Sequence, residues 1–263
     1  MIKRELKFNF KSFIIWTSIL IGIFLVVFMV YPFIITDDTV KNLDEMLKVF
    51  PKELLKSFNM DITSINSAYG WLKSEGFMFI LIIVGIYSTT LGFNILLKEE
   101  TDKTIEYLSF LPIKRSKIVT NKIIVSIIYV ISMVLLLGIF NYIALCISGN
   151  FNQKEYLLLS ITPLLVALPL FAISLFISTF MHSTKKTLGF SLGLVFIFYV
   201  INIISEISDK VEFLKYFSIY TLADIRNVIS KVEINPIMII ISLCLTILFI
   251  VGSYINYNKK ELI

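Results

Sequence analysis

Charge is scarce in this 263-residue chain: Asp, Glu, Lys and Arg make up 16% of it, where a soluble domain carries about 25%. With 57% hydrophobic residues there is too little polar side chain to coat a water-exposed surface, which excludes a soluble globular domain. The same apolar excess excludes a largely disordered chain. The only two cysteines, Cys146 and Cys244, sit inside apolar runs, which excludes a disulfide-stapled secreted domain and makes both read as small hydrophobes. Histidine occurs once, as His182, so a zinc-protease helix with paired histidines is excluded, and this residue reads as a solvated loop side chain. No Gly-x-x-x-x-Gly-Lys-Ser/Thr phosphate cradle occurs. Glu99-Glu100 is followed by Thr104 where an intramembrane Glu-Glu-x-x-x-Arg protease would place Arg. No catalytic constellation and no metal site emerges, and the chain is read as not an enzyme.

What is present is length in the apolar runs. About 20 apolar residues at 1.5 Å each cross a hydrocarbon core of about 30 Å. Six runs come near or exceed that, at roughly 13–35, 77–97, 123–147, 157–180, 188–205 and 237–257, and none carries a charge in its middle. The expected architecture is an all-α integral membrane protein with six transmembrane helices in a single domain over residues 1–263. Ion-driven transport is disfavoured, because it normally places Asp, Glu, Lys or Arg at membrane depth. The polar residues left in the spans are mild. Ser88, Thr90, Asn94 and Asn202 read either as helix–helix hydrogen-bonding groups or as a weakly polar substrate route where the second and fifth spans meet. Pro163 and Pro169 predict a kink in the fourth span.

The net charge of +5 divides unevenly among the connecting segments. The N-terminus, 98–122, 181–187 and 258–263 together carry +8, while 36–76, 148–156 and 206–236 carry −3. By the positive-inside bias both termini are expected to be cytoplasmic. The positive charge is thus an orientation signal, and no nucleic-acid partner is expected. Between the spans, 39–50 has apolar residues at helical spacing ended by Pro51, which reads as an outer amphipathic cap or a packed loop helix. Segment 211–229 is too charged to span and too apolar to float free, and reads as short interfacial or partly re-entrant helices.

The segment 98–123, KEETDKTIEYLSFLPIKRSKIVTNKI, is the most informative. Its acids come first, its basic residues last, and Ile105, Leu108 and Leu111 form an apolar stripe between them before Pro112 turns the chain. From pattern alone this is a surface helix that packs on its own bundle or docks in a partner's groove. Glu99-Glu100, Thr104-Ile105-Glu106-Tyr107-Leu108, Leu111-Pro112-Ile113, Arg115, Ile118 and Lys122 resemble the segment after the second span in permease subunits of type-2 ABC (ATP-binding-cassette) exporters. Lys103 stands where that family commonly has Gly, and Ser109 where it has a second Leu. The N-terminal MIKRELKFNFKS is similar to the family's short amphipathic first helix, and 214–218 to its outer segment before the last span.

The resemblance implies a coupling helix at 99–111 seated in a separate nucleotide-binding subunit, with Glu99, Glu100, Thr104, Glu106, Leu108, Pro112 and Arg115 as coupling residues. It implies a second contact through residues 1–12, including Arg4, Glu5 and Lys7. It further implies a second permease chain, identical or homologous, and ATP and Mg bound by the partner subunit, with no cofactor in this chain. The function so implied is ATP-driven export; the apolar, uncharged interior of the spans favours a hydrophobic or amphipathic substrate, peptide- or antibiotic-like, and the Ile-, Lys- and Asn-rich composition a bacterial cytoplasmic membrane. A non-transporting membrane scaffold or immunity subunit is the alternative.

Overall fold

The computed structural model describes residues 2–34, 67–104, 114–207 and 209–260. The amphipathic helix expected at 39–50 and the segment 105–113 lie outside the described residues. Within them every regular element is helical. In chain order these are α1 (Ile2–Ile34), α2 (Ala68–Trp71), α3 (Phe77–Thr101), α4 (Arg115–Ser148), α5 (Gln153–Ser178), α6 (Thr187–Ile207), α7 (Ile225–Lys231) and α8 (Pro236–Lys259). A π-helical turn, Leu72–Gly76, joins α2 to α3, and 3-10 segments Asp209–Phe217 and Ile219–Ala223 lie between α6 and α7. Six stretches are long and apolar enough to cross a membrane: α1, the α2–α3 run, α4, α5, α6 and α8. The chain is an all-α, multi-pass membrane protein.

Backbone polar groups in hydrocarbon must be satisfied within the protein, which is why these apolar runs are helical. Helix starts are marked by side chains that take the first free N–H groups. Ser67 accepts from Gly70 N at 2.9 Å, Asn152 from Glu155 N at 3.3 Å, and Asn235, followed by Pro236, from Ile237 N at 3.0 Å. α1 is one 33-residue helix, so the amphipathic N-terminal stretch and the first span run on without a break. It buries a narrow stripe of Phe13, Leu20 and Phe24 and leaves Ile15, Val26 and Met29 exposed, as a lipid-facing helix does.

α3 and α5 form the buried centre, while α1, α6 and α8 line the periphery. The α3–α5 contact is close because Gly92 leaves room. A Cβ there would stand 2.0 Å from Ser174 Oγ and 2.6 Å from the Phe171 carbonyl. α5 continues as one helix through Pro163 and Pro169, each of which deprives the carbonyl four residues earlier of its donor. Both carbonyls find replacements. The Thr162 hydroxyl donates to Leu159 O at 2.8 Å, and Ser242 of α8 donates across the interface to Leu165 O at 2.8 Å. At the start of α3, the 3-10 segments fold back over α6. Ser218 donates to Phe198 O at 2.7 Å, and Tyr220 is buried so deeply that its hydroxyl reaches Gly85, eight residues into α3. Burial lifts this hydroxyl above the ordinary phenol range.

Candidate functional site

The C-terminal turn of α3 carries two successive carboxylates, Glu99 and Glu100. That end of a helix already holds partial negative charge, so cations must gather there. Neighbouring residues on a helix point about 100° apart, and each acid faces a different group of helices. Glu99 turns to α1 and α4: Arg4 Nη2 lies 3.0 Å from Oε1 and Lys122 Nζ 3.1 Å from Oε2. Lys122 also stands 3.5 Å from Glu5 and donates to Ile95 O at 2.7 Å, with only 2% of its surface exposed. Glu100 turns to the α5–α6 connection and the end of α8, pairing with Lys260 at 2.6 Å and meeting His182 Nδ1 at 3.2 Å. Lys260 also donates to Met181 O. Residues from both ends of the chain and from α3, α4 and the α5–α6 connection thus converge on two carboxylates. Five charges, Glu5, Glu99, Glu100, Lys122 and Lys260, are buried or nearly so, and they survive there because each is paired.

The backbone at this turn is closed just as tightly. Thr104 N bonds Glu99 O at 2.9 Å and Lys103 N bonds Glu100 O at 3.2 Å, the crossed pair of a Schellman motif. Lys103 occupies the left-handed position of that motif with φ 54°. Thus the position at which the resembling family commonly has Gly is the one whose geometry favours Gly. Thr184 N, in turn, bonds Thr101 Oγ1 at 3.0 Å, fixing the α5–α6 connection to the same turn.

The residues expected to couple therefore play differing parts. Glu99 and Glu100 face inward, and Thr104 closes α3. Arg115, at the start of α4, binds the carbonyls of Lys260 at 2.9 Å and Asn258 at 3.5 Å. Arg4 and Glu5 belong to the charge network, and Lys7 is exposed on α1. Glu106, Leu108 and Pro112 lie outside the described residues. His182, read as a solvated residue, is half exposed but engages Glu100. Lys122 was not singled out as buried. The signal is there, since it falls on the stripe of Val119, Ser126 and Tyr129 that α4 buries.

The mild polar residues of the spans do not form one site. Ser88 donates to Val84 O at 2.7 Å and is fully packed. Thr90 and Asn94 line a cleft of 310 Å³ near the charge network, where Asn94 Oδ1 accepts from Thr187 at 2.8 Å. Asn202 instead lines a 420 Å³ cavity beside the start of α3, with Met78, Glu206 and Arg226, and accepts from Thr221 at 3.0 Å. Asn94 and Met78 are 16 residues apart on α3, roughly 24 Å, so the two cavities open at opposite ends of the bundle. Among the described residues no group of His, Cys, Asp and Glu could hold a metal ion.

A family model described as ABC-2 family transporter protein matches residues 3–262. No curated protein and no solved structure matches the chain.

Proposed function

The chain belongs to the ABC-2 family of transporter proteins, as a multi-pass permease subunit, and we propose from that premise that it exports substrate on energy from ATP hydrolysed by a separate subunit. An ATP-binding ABC subunit is the partner that family membership implies. The segment 99–111, with Glu106 and Leu108, is the coupling element, and Arg4, Glu5 and Lys7 form a second contact with the ATP-binding subunit. Two permease chains enclose the route, in a bacterial cytoplasmic membrane with both termini inside.

One observation carries this reading. The described residues on either side of 105–113, Thr104 and Arg115, are each held by hydrogen bonds to the bundle. Before it, Thr104 is hydrogen-bonded into the end of α3, and the charge network ties that end to α1 and α4. After it, Arg115 grips the end of α8. A force applied to such a segment is delivered to four membrane helices together. The interior near Thr90 and Asn94 is uncharged apart from its rim, which supports an amphipathic or hydrophobic substrate.

The test is Leu108→Asp, reconstituted with an ATP-binding ABC subunit that copurifies with the wild-type chain. Loss of copurification, or ATP hydrolysis without vesicle export, is expected with the spans still inserted. Normal copurification and normal export by this variant refute the assignment.

A further inference from the structure

Beside the charge network, two adjoining cavities of 260 and 310 Å³ share Phe8, Asn9, Asn94, Lys98 and Asp102 in their walls. Together they make a cleft bounded by α1, α3 and the beginning of α6. Along its floor, Tyr87, Thr90, Asn94 and Lys98 follow at spacings of three and four, one face of α3 extending roughly 16 Å.

Beyond the Asp102 carboxylate at the outer end and Glu5 and Glu99 in the smaller cavity, the groups left unused on this face among the described residues are donors. Lys98 is half-buried and makes no ion pair among the described residues; its ammonium rests on the Phe8 ring, 3.3 Å from the centroid. This sets it apart from Arg4, Lys122 and Lys260, which are paired with carboxylates. Asn94 meets the Thr187 hydroxyl through one end of its side-chain amide, leaving the other end for a ligand. Among the described residues the hydroxyls of Thr90 and Tyr87 are buried without a partner, and Tyr87 is only 2% exposed. A buried donor without an acceptor is unfavourable, and the Lys98 ammonium, near the Asp102 and Glu5 carboxylates but ion-paired with neither, keeps its donors available to a ligand. A ligand rich in oxygen acceptors, with an anion at its outer end, satisfies all four.

We propose that this cleft binds an anionic amphiphile of the adjacent leaflet, its phosphate on Lys98 and Asn94 and its ester oxygens on Thr90 and Tyr87. The length of the donor row fits a headgroup with its linker better than a compact free anion. Phe8 of α1, half exposed, offers an apolar wall beside the headgroup. The inference shares Thr90 and Asn94 with the substrate route of the proposed function and rests on that reading only for the membrane placement.

The experiment uses the full chain, without an ATP-binding subunit, in phosphatidylcholine nanodiscs containing a minor share of phosphatidylglycerol. Lipid retained after re-purification is quantified by mass spectrometry, and Lys98 accessibility by its rate of acetylation. The expected results are severalfold enrichment of phosphatidylglycerol, slowed acetylation of Lys98, loss of the enrichment in Lys98→Gln, and a weaker loss in Tyr87→Phe/Thr90→Val. Lys117→Gln, an exposed lysine at the same end, should retain the enrichment. Equal enrichment in wild type and Lys98→Gln overturns the proposal, as does an equal loss in Lys117→Gln, which indicates diffuse attraction. Slowed acetylation by inorganic phosphate in pure phosphatidylcholine discs indicates a soluble-anion site and also overturns it. Because no ATPase is present, these outcomes are independent of whether Leu108→Asp uncouples transport.

Discussion

Ser242 on α8 donates its hydroxyl to the Leu165 carbonyl of α5 at 2.8 Å, and this is the carbonyl from which Pro169 removes the normal helical donor. The proline and the serine, 73 residues apart, are one device: the first exposes an acceptor and the second spends it on holding two helices together.

Ser242→Ala is therefore expected to lower stability by about 1 kcal/mol, read as a lower thermal midpoint in detergent. In a Pro169→Ala background, where an N–H again reaches Leu165 O, the same substitution should cost less. Equal losses in both backgrounds would show that the two residues do not interact.

Lys122→Met removes the cation that faces Glu5 and Glu99 and leaves buried carboxylate with less compensation. Breaking a buried pair in this way typically costs about 3–5 kcal/mol. Adding Glu99→Gln should recover part of the loss. Thermal unfolding of the single and double variants measures both steps.

Lys103→Gly is expected to stabilise the chain. At φ 54° a residue with a Cβ bears about 1–2 kcal/mol of strain that glycine lacks, offset in part by glycine's greater freedom when unfolded. A raised thermal midpoint is the expected reading; a fall of more than a degree or so counts against the role of strain at this turn.

Gly92→Ala should disrupt α3–α5 packing by about 1–3 kcal/mol or more, because the added methyl meets backbone of Phe171 and Leu175 as well as Ser174. Gly193→Ala, on the exposed side of α6 with nothing within 4 Å, serves as the comparison and should be nearly silent. Size-exclusion homogeneity and melting temperature separate the two.

Much of this was legible in the sequence. Uninterrupted apolar length reveals a spanning helix without reference to its neighbours, so the six spans could be read directly. Which helices are central could not, since α3 and α8 are similarly apolar and differ in what surrounds them. Glu99 and Glu100 stood out as a pair, but their inward direction depends on cations from α1, α4 and the far end of the chain. Lys122 was assigned to a loop because a charge normally marks a boundary. Asn94 and Asn202 were expected on one route, yet Asn94 meets Thr187 and Asn202 meets Thr221 at opposite ends of the bundle.

The pairing of Lys260 with Glu100 spans 160 positions of the chain and four intervening membrane helices. Glu100 is synthesised early and enters a buried place, but its cation arrives only when α8 has been inserted. Until α8 is in place, His182 is the one side chain among the described residues that faces Glu100 with a nitrogen, so the ion pair forms only in the completed bundle.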